Sequence, residues 1–152
     1  MNRYERYFKK NKLGVNDKLY NTYVEYDTGY SKHFLISNGC SIVMVNDIPN
    51  NFTKNNTVSK SIISFFENYI DKNDVEVLQE THIDIIKDKI TSDNTYIIND
   101  SYCIDYNVLK DICSIIGGKK VNIITGDRFY HPIIEIVGKD MQVGYLLPCR
   151  RQ

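Results

Sequence analysis

Tyr102-Cys103-Ile104-Asp105-Tyr106-Asn107-Val108-Leu109-Lys110-Asp111-Ile112-Cys113-Ser114-Ile115-Ile116-Gly117-Gly118 is the stretch on which the reading of the fold turns. Tyr102–Ile104 is short, apolar and strand-like. Tyr106, Leu109, Ile112, Cys113 and Ile116 then recur at helical spacing and form one apolar stripe. Asp105 can cap that helix and Gly117 can take the left-handed conformation that ends it. Val121–Thr125, Pro132–Val137 and Gln142–Leu147 follow as three alternating strands, the last two joined through Gly138-Lys139-Asp140. The chain closes on Leu146-Leu147-Pro148-Cys149-Arg150, a tail that reads as packed structure.

Working back from this unit, a similar order occurs at the front. Tyr4, Tyr7 and Phe8 share one helical face among Arg3, Arg6, Lys9, Lys10 and Lys12, which predicts a short helix over residues 2–12, ended near Gly14. Tyr20–Tyr26, His33–Ser37 and Cys40–Asn46 then read as a β-meander. Asp27-Thr28-Gly29 forms its first turn, and Asn38-Gly39 suits a tight two-residue turn because both residues tolerate positive φ. Asp47–Asn56 is a polar loop, and Thr57–Ile70 predicts a second helix with a broad apolar face. Val75–Leu78, Ile83–Ile86 and Tyr96–Ile98 read as short strands, although 82–90 suits a helical turn or two equally well. The expectation is a single α+β domain over 1–152. It has two helix-plus-three-strand halves, about 1–56 and 100–152, and a helix with a variable segment between them.

Composition narrows the classes of function. Apolar residues at 42% and charged residues at 25% are ordinary for a globular chain long enough to bury a core. Basic and acidic residues number 19 each, so bulk charge does not drive nucleic-acid binding, and only a local basic face could. No apolar run reaches membrane-helix length, and Met1–Arg6 lacks the apolar core of a secretory signal. The expected location is the cytoplasm, with no membrane partner. There Cys40, Cys103, Cys113 and Cys149, widely spaced, read as free thiols. The abundance of Asn, Lys and Ile suits an AT-rich coding sequence, such as that of a low-GC bacterium or one of its phages or other mobile elements.

Reactive constellations are sparse. Cys40 and His33 could face each other across the meander, but no cation or helix N-terminus is placed beside the thiol to activate it. His33, His82, His131 and the cysteines lack the close ligand pairs of a zinc site, so neither a metal nor another cofactor is expected. Asp84, Asp88, Asp93, Asp100 and Asp105 read as loop and cap residues. Gly117-Gly118-Lys119-Lys120 follows a helix instead of preceding one, so it is no phosphate loop.

The duplicated plan resembles one domain of the bacterial DNA sliding clamps, the beta-subunit family of DNA polymerase III. Phe34-Leu35-Ile36-Ser37-Asn38-Gly39-Cys40-Ser41-Ile42 is similar to the family's glycine-bearing hairpin, with Cys40 and Ser41 standing where the family has His-Arg. Tyr106–Ile112, Val121–Thr125 and Leu147-Pro148-Cys149-Arg150 resemble its terminal helix, strand and closing tail. The resemblance implies a DNA-clamp-like fold with antiparallel sheets and no catalysis. It also implies a peptide-binding pocket formed by Ser37, Gly39, Cys40, Ile42, Leu147, Pro148 and Cys149. Phosphate contact would come from Arg3, Arg6, Lys9, Lys10 and Lys12. The expected partner is a replication or host-defence protein, with DNA and self-association as further candidates. The competing readings are a phage inhibitor of a host nuclease complex, of the anti-defence or anti-CRISPR type, and a small Cys-dependent enzyme.

Overall fold

The computed structural model describes residues 2–9, 19–27, 29–39, 41–55, 76–82, 89–98, 100–118, 120–125 and 133–150. Helix α1 spans Arg3–Lys9 and α2 spans Tyr106–Ile116. The strands are β1 Thr22–Asp27, β2 Lys32–Ser37, β3 Ser41–Val45, β4 Thr53–Lys54, β5 Glu76–His82, β6 Thr95–Ile97, β7 Tyr102–Asp105, β8 Lys120–Thr125, β9 Ile133–Val137, β10 Val143–Leu146 and β11 Cys149–Arg150. The helix expected over Thr57–Ile70 and the strand over Ile83–Ile86 lie outside the described residues.

Both ends of α2 are set locally. The Asp105 carboxylate accepts from the backbone N–H groups of Asn107 and Val108 at 2.7 and 3.2 Å, satisfying donors that the first turn leaves open. At the other end Gly117 adopts φ 67°, and the N–H groups of Gly117 and Gly118 donate to the Cys113 carbonyl. Helix α1 is shorter, and its cap is Asn2, whose side-chain oxygen accepts from Glu5 N–H at 2.9 Å.

The strands form an eight-stranded sheet in the order β4-β1-β2-β3-β10-β9-β8-β5 and a small sheet in the order β11-β7-β6. The meanders β1-β2-β3 and β8-β9-β10 thus meet edge to edge along a seam. There β3 runs antiparallel to β10, with Ser41 opposite Leu146, Ile42 opposite Tyr145 and Met44 opposite Val143. Each meander follows a helix, and α1 and α2 contact each other over one sheet face. Tyr7 and Phe8 from α1, and Leu109, Ile112 and Ile116 from α2, are buried there with Ile36, Val43, Val45, Ile134 and Ile136. Strand alternation sends Val24, Leu35, Ile42, Ile133 and Tyr145 into a second apolar cluster on the opposite face. At Gly144 the seam and α2 come together so closely that an added Cβ would lie 2.5 Å from Ile112 Cγ2.

Several expectations need correction. The β2–β3 register, with Ser37 opposite Ile42, makes Gly39 the first central residue of the turn, one position later than Asn38-Gly39 implied. Gly39 supplies the positive φ, 91°, whereas Asn38 serves through its side chain. The large sheet is mixed, because β4 pairs in parallel with β1. Burial of Phe52 against Tyr4 and Phe8 brings the chain back beside β1 in that direction. The strand expected over Val75–Leu78 is observed as β5, Glu76–His82, with an irregularity between Val77 and Gln79. Strand β10 is central, and beyond Pro148 the tail crosses to the small sheet, where Cys149 stands opposite Cys103 and Arg150 opposite Tyr102.

Candidate functional site

The seam ends at Ser41 and Leu146 in an open cleft of about 180 Å³. Ser37, Gly39, Ser41, Ile42, Tyr145, Leu146 and Leu147 line it. Hydrogen bonds around Asn38 hold its hairpin wall. The buried Asn38 side chain accepts from Ser41 N–H and Ser41 Oγ, both at 3.0 Å, and donates to the Tyr7 carbonyl at 3.2 Å. Ser41 Oγ therefore spends its proton on Asn38, and Tyr7 OH donates to that oxygen at 2.9 Å. Ser37 Oγ donates to the Ser41 carbonyl at 2.8 Å and accepts from Gly39 N–H at 3.2 Å. Helix α1 thus braces the hairpin through both the hydroxyl and the carbonyl of Tyr7.

The opposite wall comes from β10. Tyr145 is buried, and its hydroxyl donates to Glu135 Oε2 at 3.0 Å, while Asn122 Nδ2 donates to Glu135 Oε1 at the same distance. The ring is held at both ends and cannot swing to fill the space. Leu147, 55% exposed, forms the lip. Such a site accepts an apolar side chain between Ile42, Tyr145 and Leu147, with serine oxygens at its margin. Among the described residues no carboxylate, imidazole or amine lines it, and what those residues offer is shape and desolvation.

Of the seven residues expected to form a pocket, the structure gathers Ser37, Gly39, Ile42 and Leu147 around this cleft. Pro148 is half-buried and not among the lining residues. Cys149 pairs in the small sheet, and Cys40 lies outside the described residues. Ser41, Tyr145 and Leu146 are additions that sequence reasoning missed. The alternation of β10 carried a signal for Tyr145, but only the β3–β10 register shows that it faces the hairpin.

The expected basic residues separate more widely. Arg3 is exposed, sits with its guanidinium 5.6 Å from the centre of the Tyr4 ring, and reaches the Ser114 carbonyl on α2 at 3.5 Å. Burial raises the Tyr4 phenol above its ordinary value; the nearby Arg3 charge opposes that shift and Asp47 adds to it. Arg6 is half-buried, Lys9 closes α1, and Lys10 and Lys12 lie outside the described residues. On α2, Lys110 and Ser114 are exposed.

The remaining reactive groups do not converge on the cleft. Cys103 and Cys113 are half-buried, and His33 bonds Ser31 and Asn46. Asp105 is the α2 cap, while Asp93 accepts from Thr91 Oγ1, which together with Thr95 holds its carboxyl below the usual carboxylate range. His131, Asp84 and Asp88 lie outside the described residues, and the side chain of His82 is not described. Among the described residues no group of three or more His, Cys, Asp or Glu is gathered as a metal site. No helix among them is long and apolar enough to cross a membrane.

The elements and the cleft define an α+β domain with a small apolar recess at the junction of two meanders. Comparison of the chain with protein-family models, curated proteins and solved structures returned no match.

Proposed function

We propose that this chain is a clamp-like binding domain that receives a short peptide segment of a replication or host-defence protein. The observation that carries the reading is the cleft itself, at the end of the seam where the glycine hairpin and the C-terminal tail converge. The strand order supports it, since each helix is followed by a three-strand meander and the two meanders join through β3 and β10. An apolar floor with polar margins suits one or two anchoring side chains of a peptide. At the ligand efficiency of drug-sized groups, about 0.3 kcal/mol per heavy atom, two large apolar side chains give a dissociation constant on the order of 10⁻³ M.

Titration with a short clamp-binding peptide, followed by calorimetry or fluorescence anisotropy, tests this. Leu147→Asp should weaken binding at least about tenfold by placing a charge at the apolar lip. Because Leu147 is already 55% exposed, the variant should keep its thermal stability. Absence of saturable binding at millimolar peptide would remove the pocket reading. DNA contact belongs to the same proposal through Arg3 and Arg6 on α1. A gel shift that persists unchanged after both are replaced by Glu would exclude it.

A further inference from the structure

Three side chains at the opposite end of the seam stand as a nucleophile, a base and an orienting group. Ser31 Oγ lies 2.7 Å from His33 Nε2, and His33 Nδ1 lies 3.1 Å from Asn46 Oδ1. Local geometry brings them together: Ser31 and His33 are two residues apart along an extended chain, and the β2–β3 register continues from Phe34 opposite Val45 to His33 beside Asn46.

The contacts of Asn46 fix the direction of the proton chain. Its Nδ2 donates to the Asp140 carbonyl at 2.8 Å, and a carbonyl oxygen can only accept. Oδ1 therefore faces His33, so the imidazole hydrogen sits on Nδ1. That leaves the Nε2 lone pair to accept the Ser31 hydroxyl proton, the polarity a serine nucleophile requires. Asn46 N–H also donates to Gln142 Oε1 at 3.1 Å, so the back half of the chain holds the orienting residue in place. Ser31 is exposed, neighbouring Tyr30 is fully exposed, and no atom lies within 4 Å of a Cβ built on Gly29, so a small molecule can approach.

We infer that Ser31 is an activated nucleophile that accepts the acyl group of small, activated carboxylic esters. Its Oγ forms a bond to the ester carbonyl carbon as the ester C–O bond breaks. The hydroxyl proton passes to His33 Nε2 and then to the departing oxygen, which leaves as the alcohol. Water next attacks the acyl-Ser31 ester with His33 as base, releasing the carboxylic acid and restoring the Ser31 hydroxyl. Ser31 and His33 are the catalytic residues, and Asn46 is a positioning residue. The Gly29 N–H is committed to Asp27 Oδ1 at 2.8 Å and does not serve an oxyanion. The reaction is therefore slow, and general-base assistance supplies about 10²-fold of it.

Incubation of the full chain with p-nitrophenyl acetate, with peptide mass spectrometry to locate the acetyl group, tests the inference. Acetyl-Ser31 is the expected product, forming about 100-fold more slowly in His33→Ala and in His33→Gln. Added imidazole should restore the rate in His33→Ala, a rescue that a merely structural histidine would not show. Asn46→Ala should slow acylation while the circular dichroism spectrum stays unchanged. Acetylation of lysines or Tyr30 in preference to Ser31 would overturn the proposal, as would a Ser31 rate indifferent to loss of His33 in a folded chain. Peptide binding at the cleft is measured separately and does not enter this result.

Discussion

The two ends of the β3–β10 seam are both organised by an asparagine, and the two residues work in different surroundings. At the cleft end Asn38 is buried, closes the β2–β3 turn through Ser41 and reaches back to the Tyr7 carbonyl on α1. At the other end Asn46 is half-buried, and it ties His33 to Gln142 and the Asp140 carbonyl in the β9–β10 loop. One end is closed behind and open in front, which leaves an apolar recess. The other is laced together by polar groups at the surface. The junction of the two meanders is held at its margins by side-chain amides and in its middle by packing on α2.

The largest perturbation should come from that middle. Ile112 is fully buried and lies against the seam at Gly144. Ile112→Ala should destabilise the chain by about 4 kcal/mol in denaturant unfolding, because the rigid surroundings cannot collapse onto the cavity. Asn38→Ala should follow at about 3 kcal/mol, since it leaves Ser41 N–H and the Tyr7 carbonyl buried with a lost partner. It should also loosen the hairpin wall, so peptide affinity should fall together with stability. Asn46→Ala should cost only about 1 kcal/mol, because water can reach the groups it releases. Equal losses at the two asparagines would break the distinction between a buried and an exposed end.

The smallest effect concerns the outer edge of the front meander. Glu25 bridges Lys32 on β2 at 3.0 Å and Lys54 on β4 at 3.3 Å. The hydrogen bond from Lys32, with help from Lys54, holds its carboxyl below the usual carboxylate range. The lowered value means that the stabilisation is present above the ordinary carboxylate range and is lost as pH falls through the folded-state value. Glu25→Gln should therefore be slightly less stable than the parent at neutral pH and equal to it in strong acid. Thermal unfolding across pH 2–7 measures the difference, and a gap that widened on acidification would contradict the sign.

Much of the secondary structure was legible because its causes are local. Helix α2 begins after Asp105 and ends at Gly117 as its caps dictate, and the strand alternation of both meanders places Leu35, Ile42 and Tyr145 opposite Val43, Ile134 and Ile136. The β2–β3 turn was misplaced by one residue because Asn-Gly reads as a pair of positive-φ residues. Here the asparagine's hydrogen bonds decide the register instead. The parallel pairing of β4 was not legible, since it depends on Phe52 finding Tyr4 and Phe8 more than 40 residues away in sequence.

The candidate site divides in the same way. Ser37, Gly39, Ile42 and Leu147 could be named from the hairpin and the tail as separate motifs. Ser41 and Tyr145 could not, because their place in the cleft follows from strands that pair across about 100 residues of chain. The sequence pairs His33 with Cys40 across the meander, whereas the structure gives it Ser31 and Asn46 as partners. Sequence by itself determined the helix, the meanders and their apolar faces, because caps, turns and side-chain periodicity act over a few residues. Only the tertiary structure decided that the two meanders join at β3 and β10, that the tail crosses to the small sheet, and that a cleft opens there. Those outcomes depend on which apolar faces and unpaired strand edges meet, and no local stretch of the chain encodes them alone.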